Sequence, residues 1–250
     1  MTELWLVDLE RTAPALEALE SVAPRLSAED RARAHRIGDL RERRHRLAAY
    51  MALRVVLERI AGRPVRGATF VRPTGGKPHL SGEKVAFSLS HSERFALVGV
   101  TRRGEIGVDL EEARGVRMSA RRLWLIAAAG NGLGSTPLAA GDNEKAFLQA
   151  WSRLEAFAKA RGSGLARLLA DVGVRGSRGR TASPARVEAA ARRAAGEAGL
   201  KVRDLELPHG LHGAVALSRQ VVAPRVQAFP VEGAAIGRLL VSRQPLGRRS

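Results

Sequence analysis

Residues Ile106-Gly107-Val108-Asp109-Leu110-Glu111 restrict what this chain can fold into more than any other stretch. Apolar side chains at 106, 108 and 110 alternate with Gly107, Asp109 and Glu111, the period of a half-buried strand. Asp109 and Glu111 therefore share a face, about 7 Å apart at strand rise. Two carboxylates at that spacing repel unless a cation lies between them. A hard divalent ion such as Mg²⁺ suits one or two carboxylates together with substrate phosphates. Gly107, having no side chain, leaves room beside that face for a ligand. The same residues also fit a solvated strand edge.

About forty residues later, Trp151-Ser152-Arg153-Leu154-Glu155-Ala156-Phe157-Ala158-Lys159 reads as helix. Phe147, Trp151, Leu154 and Ala158 fall on one apolar stripe. Glu155 and Lys159, four apart, project together beside it, either as an ordinary ion pair or as part of a site. Arg153 points roughly 100° away from its neighbour Leu154 on the helical wheel.

The chain has 250 residues, 45% of them hydrophobic, enough for one sizeable core or two small ones. It contains no cysteine, which excludes disulfides and thiolate metal sites. Acidic residues interrupt Met1–Glu10 where a secretion signal needs basic residues and then an apolar run. No apolar stretch approaches the roughly 20 residues of a membrane span. The expectation is a soluble, cytoplasmic protein without a membrane partner. The net charge is +17, carried mostly by arginine, which attracts polyanions and favours bidentate contact with phosphate and carboxylate. Aromatic residues make up only 4% and do not interleave with the basic runs, so a stacking surface for single-stranded nucleic acid is poorly supported.

Along the chain, Glu3–Leu9 reads as an opening strand, and Pro14 and Pro24 bracket a short helix or loop. Ser27 caps a long helical region running to about Ala61, its first half rich in arginine and its second half apolar. Pro73-Thr74-Gly75-Gly76-Lys77-Pro78-His79 is a tight connection, whose lysine can meet a phosphate as a point charge. Val85–Ser92 alternates up to Ser90-His91-Ser92. Phe95–Val100 is a buried strand, Arg102-Arg103-Gly104 turns it, and the Asp109/Glu111 strand follows as its hairpin partner. Arg114–Leu125 reads as helix and Ala127–Asp142 as a Gly-rich loop. Gly162 to Gly164 cap the motif helix. Pro184 opens a helix to about Ala195, and His212–Leu217 is a late strand. Residues 221–250 read as a tail.

A Gly-x-Asp-x-Glu strand followed by Trp-x-x-x-Glu-Ala-x-x-Lys, with Gly-Lys-Pro and Ser-His-Ser upstream, resembles the 4′-phosphopantetheinyl transferases of the surfactin-synthetase-activating type. The resemblance spans about 27–217. It implies a mixed α/β (α+β) fold of two similar halves packed as a pseudo-dimer. They would be an N-terminal, coenzyme A-binding half (1–102) and a C-terminal half (103–220) carrying the metal site. It further implies a monomer that uses Mg²⁺ and moves the phosphopantetheine arm of coenzyme A onto a serine of an acidic apo carrier protein, whether acyl, peptidyl or aryl. Asp109, Glu111 and Glu155 would hold the metal, Glu155 doubling as general base. Lys159 would meet the leaving phosphate. Lys77, Ser90, His91 and the basic residues Arg33, Arg36 and Arg44 would contact coenzyme A, although each arginine also fits a solvated helix face.

Two departures stand out. Most relatives have lysine directly before the motif glutamate, where this chain has Leu154, and their Phe-x-x-x-Glu helix start is missing from 127–142. Two other readings stay open. One is a basic nucleic-acid-binding protein, and the other is a degenerate homologue that binds coenzyme A without turnover.

Overall fold

The opening strand and the Ser-His-Ser strand meet through a third strand between them. In the computed structural model, which describes residues 1–62, 64–73, 76–138, 143–174 and 183–241, β1 (Thr2–Asp8) pairs antiparallel with β5 (Phe95–Thr101). β5 in turn pairs antiparallel with β4 (Ala86–Ser92). Between β1 and β4 the chain forms α1 (Leu9–Val22), α2 (Ala28–His35), α3 (Leu40–Ala61) and the two-residue strands β2 (Phe70–Val71) and β3 (His79–Leu80). Trp5, Val7, Val98 and Val100 alternate onto the face covered by Leu16, Leu53, Val56 and Leu57 of α1 and α3.

The second part repeats this connectivity. β6 (Ile106–Glu112) is followed by α4 (Ala120–Leu133), α5 (Asn143–Arg161), α6 (Leu165–Asp171) and α7 (Pro184–Glu197). The strands β7 (Leu200–Asp204) and β8 (Leu211–Ser218) then complete a sheet of order β6-β8-β7. In each part a strand, its helices and a hairpin give a sheet in which the last strand pairs with the first. Ile106, Val108, Leu110, Val215 and Leu217 on one face of the second sheet meet Leu4 and Leu97 on the far face of the first. Val202, Ala214 and Ala216 on the opposite face meet α4, α5 and α7. The layers thus run helices, sheet, sheet, helices, and the fold is mixed α/β.

Several expectations need correction. β6 is not the hairpin partner of β5. Both edges of β5 are already taken by β1 and β4, and Ser218 draws the 102–105 turn across to β8, its hydroxyl accepting from Glu105 N at 2.8 Å. The long helical region is two helices. A reciprocal capping box between Ser27 and Asp30 starts α2, and Asp39 caps α3 separately. Arg43 donates twice to the Ile37 carbonyl at the break (3.0 and 2.7 Å). Pro14 lies inside α1 rather than before it, because Asp8 caps the helix at Arg11 N and the chain is helical from Leu9. The helix placed at 114–125 runs instead from 120 to 133, into the supposed loop. Its glycines mark close packing: a Cβ on Gly130 would stand 2.6 Å from Ala150 Cβ, and one on Gly132 would stand 2.2 Å from Glu188 O. Residues 139–142 of that loop lie outside the described residues.

The supposed tail also packs. β9 (Val226–Ala228) adds in parallel to β1, and α8 (Gly233–Val241) buries Ile236 and Leu240 in the first core. Phe229 meets Trp5 edge to face. Residues 242–250 lie outside the described residues. Among the described residues no helix is long and apolar enough to cross a membrane.

Candidate functional site

β4 and β6 are the facing edge strands of the two sheets, and the site lies where they meet. Gly107, Asp109 and Glu111 share the face of β6 that looks at α5, as their alternation requires. The glycine's use differs from the one expected. A Cβ at Gly107 would stand 2.0 Å from Ala156 O and 2.4 Å from Ala160 N. Gly107 is therefore where the α5 backbone touches the strand, leaving no room for a ligand there. That contact brings Glu155 and Lys159, the neighbours of Ala156 and Ala160, over Asp109.

Asp109 is 3% exposed. Its Oδ1 accepts from Lys159 Nζ at 2.7 Å and from the Ser90 hydroxyl at 2.7 Å, and Lys159 also reaches Ser90 Oγ at 3.0 Å. Its Oδ2 is buried and has no hydrogen-bond partner among the described residues. An unmatched buried carboxylate oxygen carries a desolvation penalty unless a cation meets it. Burial raises the Glu111 carboxyl above its ordinary value, and the charge on Asp109 raises it further, against an opposing bond from Arg114. Burial raises Glu155 too. Lys159 opposes that shift, while Asp109 and Glu111 add to it. The three carboxylates thus feel one another.

Among the described residues no three His, Cys, Asp or Glu side chains are clustered tightly enough to hold a metal by themselves. The charge of Lys159 lies on Asp109 instead. The orphan oxygen and the mutual repulsion nevertheless fit a hard divalent cation that takes carboxylate oxygens together with those of a substrate.

The carboxylates border a cavity of about 580 Å³ whose lining combines apolar side chains such as Leu53, Phe70 and Phe87 with several cations. Arg33 lies on it, paired to Glu29 at 2.6 Å. Lys77 borders it as well, with its ammonium on Ile106 O (2.6 Å) and Glu105 (2.9 Å), and burial lowers its pKa. Ser90 and His91 are both on the wall. Burial pushes the His91 imidazole down, and Arg46 and Lys159 push it further, so it is neutral at pH 7. Gly75 and Thr74 of the Gly-Lys turn lie outside the described residues.

Two expected arginines are elsewhere. Arg36 is an exposed residue ending α2, and Arg44 turns to α1, where it makes a bidentate pair with Glu17 (2.6 and 2.8 Å). The sequence reading missed Arg46 and Arg72, which line the cavity. Arg46, Tyr50 and Leu53 all line it at i, i+4 and i+7 of α3, a stripe that could have selected Arg46 over Arg44. Burial and the nearby charge of Arg33 lower the pKa of Arg72, and the Nε of Arg46 has no partner among the described residues.

On α5, Leu154 is fully buried, and Trp151 is partly buried against the same core as Phe147 and Ala158. Arg153 is fully occupied. It pairs with Asp204 through two nitrogens (2.7 and 2.5 Å) and donates to the carbonyls of Gly130 and Thr136. Gly134 leaves the space its guanidinium fills.

The raised Glu155 predicts a pH signature. A carboxyl whose folded pKa lies above its unfolded one contributes its full stability below the unfolded value, near 4.5, and loses it as pH rises through the folded value. Glu155→Gln removes that loss. Its melting temperature should gain on the unsubstituted protein as pH rises from about 4 to about 8, and added Mg²⁺ should narrow the gap by stabilising only the latter. A gap that stays constant over that range would mean that the Glu155 carboxyl is not raised in the folded protein.

In comparisons with known proteins, no family model and no curated protein matches the chain.

Proposed function

We propose that the protein transfers the 4′-phosphopantetheine arm of coenzyme A to a serine hydroxyl of an acidic apo carrier protein, with Mg²⁺, releasing adenosine 3′,5′-bisphosphate. The observation that carries this reading is Asp109. It has one buried, unmatched oxygen, lies beside two carboxylates whose ionisation is resisted, and borders a cavity also lined by Arg33, Arg46, Arg72 and Lys77. The repeated connectivity of the two sheets supports the pseudo-dimeric transferase fold, with the site between halves 1–102 and 103–220.

In the reaction, the serine Oγ–P bond forms as the P–O bond to the departing adenosine bisphosphate breaks. Bound Mg²⁺ would supply charge neutralisation on the pyrophosphate, held by Asp109, Glu111 and Glu155. Glu155 accepts the serine proton, directly or through water. Lys159 carries its charge to the leaving phosphate. The cavity cations Arg33, Arg46, Arg72 and Lys77 orient the anionic cosubstrate, while neutral His91 adds a hydrogen bond. With Leu154 buried and Arg153 tied to Asp204, α5 offers no replacement for the lysine of relatives, and the opposite wall provides the missing charge through Arg46 and Arg72.

The test is incubation with coenzyme A, Mg²⁺ and a panel of apo carrier proteins, followed by mass spectrometry. The expected result is a gain of one phosphopantetheine on at least one carrier, abolished by EDTA. Coenzyme A binding without any gain would leave the degenerate homologue. A salt-dependent DNA shift without coenzyme A binding would replace the proposal with a nucleic-acid-binding role.

A further inference from the structure

β4 presents Ser88, Ser90 and Ser92 to β6 on alternate positions, and the hydroxyls of Ser88 and Ser92 stand in for strand-to-strand backbone pairing. Ser88 Oγ accepts from Val108 N at 3.0 Å, and Ser92 Oγ accepts from Glu112 N at 3.1 Å. The two sheets are therefore stitched by side chains at the registers that flank Asp109. Ser90, between them, departs from this pattern. Its hydroxyl donates to a side chain, Asp109 Oδ1, and receives Lys159. With Ser90 8% exposed and Asp109 3% exposed, little water competes for these bonds.

Both donors converge on the same carboxylate oxygen. That fixes the plane of the Asp109 carboxyl and leaves Oδ2 as the unmatched atom. We infer that Ser90 is a positioning residue for Asp109, reaching across the junction of the two sheets to hold Oδ1 so that Oδ2 is presented to a divalent cation. This assignment rests on the metal-site reading above and differs from direct contact between Ser90 and coenzyme A. It also gives the ladder a division of labour. Ser88 and Ser92 hold the strand, and Ser90 holds the carboxylate.

The experiment measures Mn²⁺ affinity by electron paramagnetic resonance, coenzyme A affinity by calorimetry and melting temperature, on the whole protein. The variants are Ser90→Ala, Ser90→Thr, Ser88→Ala and Asp109→Asn. Outer partners of metal-ligating groups are worth roughly 10–100-fold in metal affinity. Ser90→Ala should therefore weaken Mn²⁺ about 10-fold, with coenzyme A affinity measured without metal staying within about 2-fold. Ser90→Thr, which keeps the hydroxyl, should restore most of the Mn²⁺ affinity. Ser88→Ala should lower the melting temperature without changing the Mn²⁺ affinity.

Unchanged Mn²⁺ affinity in Ser90→Ala, where Asp109→Asn does lose it, would overturn the positioning role and leave the metal site standing. Weakened coenzyme A with unchanged Mn²⁺ would make Ser90 a direct contact instead. If Asp109→Asn itself retains Mn²⁺ affinity, the metal reading and the positioning role both fall.

Discussion

Gly107→Ala should destabilise the protein strongly, since among the described glycines an added Cβ meets its nearest atom most closely there. The added Cβ would stand 2.0 Å from a backbone oxygen of α5, where real Cβ contacts essentially never fall under 3.0 Å. A backbone neighbour cannot rotate away, so the whole helix has to retreat by about an ångström, uncovering Phe157, Ala160 and the strands beneath. The cost belongs at or beyond the upper end of the roughly 1–3 kcal/mol typical of overpacked cores. For a chain of this length that is a fall of roughly 6–12 °C in melting temperature. Turnover should drop further than stability does, by on the order of 10²-fold, because Glu155 and Lys159 move with the helix. Gly233→Ala, where an added Cβ meets nothing within 4 Å, is the control and should be neutral. A Gly107→Ala protein melting with the control would disprove the close packing of α5 on β6.

Asp109→Ala should do the reverse, costing activity and sparing the fold. It removes the acceptor of Ser90 and Lys159 and the oxygen proposed to meet the cation, an expected loss of on the order of 10²-fold or more in kcat/KM on the scale of a lost charge-stabilising group. Stability should hold or rise. Lys159 is 30% exposed and can rehydrate, while Glu111 and Glu155 lose a repelling neighbour. Transfer assays with and without EDTA, beside a melting curve, separate the two effects. Near-normal, EDTA-resistant transfer by this variant would rule out a metal role for Asp109. A matched fall in stability and activity would make Asp109 a structural residue.

Together these two substitutions separate what the junction needs as packing from what it needs as chemistry. Asp109, Glu111 and Glu155 lie within electrostatic reach of one another and of Lys159, and the surrounding fold supports that arrangement. α5 is held on its far side by the buried Arg153, paired to Asp204 at the surface and bonded to the carbonyls of Gly130 and Thr136, and on its near side by contact with Gly107. A guanidinium this buried is costly to leave without its partners, so the helix that bears Glu155 and Lys159 has little freedom to shift.

The one-dimensional pattern determined several local elements and named most of the residues that meet at the candidate site. Alternation at 106–111 fixed a strand and placed Asp109 with Glu111. The stripe through Phe147, Trp151, Leu154 and Ala158 fixed the α5 face, and with it the burial of Leu154 and the pairing of Glu155 with Lys159. Ser27 and Pro184 marked true helix starts. Periodicity reports which face of an element is covered, because burial of each residue follows from its own direction. It does not report what covers that face.

Tertiary structure alone therefore decided that β6 pairs with β8 rather than β5, since pairing depends on which edges other strands have already taken. It decided that Gly107, Gly130 and Gly132 are points of helix contact, because a glycine that turns and a glycine that lets a backbone approach look the same in sequence. It sent Arg44 to Glu17 and brought Arg46 and Arg72 to the cavity, a choice made by neighbours far away in the chain. It also folded 226–241 back onto β1 and α3, where Phe229, Ile236 and Leu240 find an apolar surface that no local pattern announces.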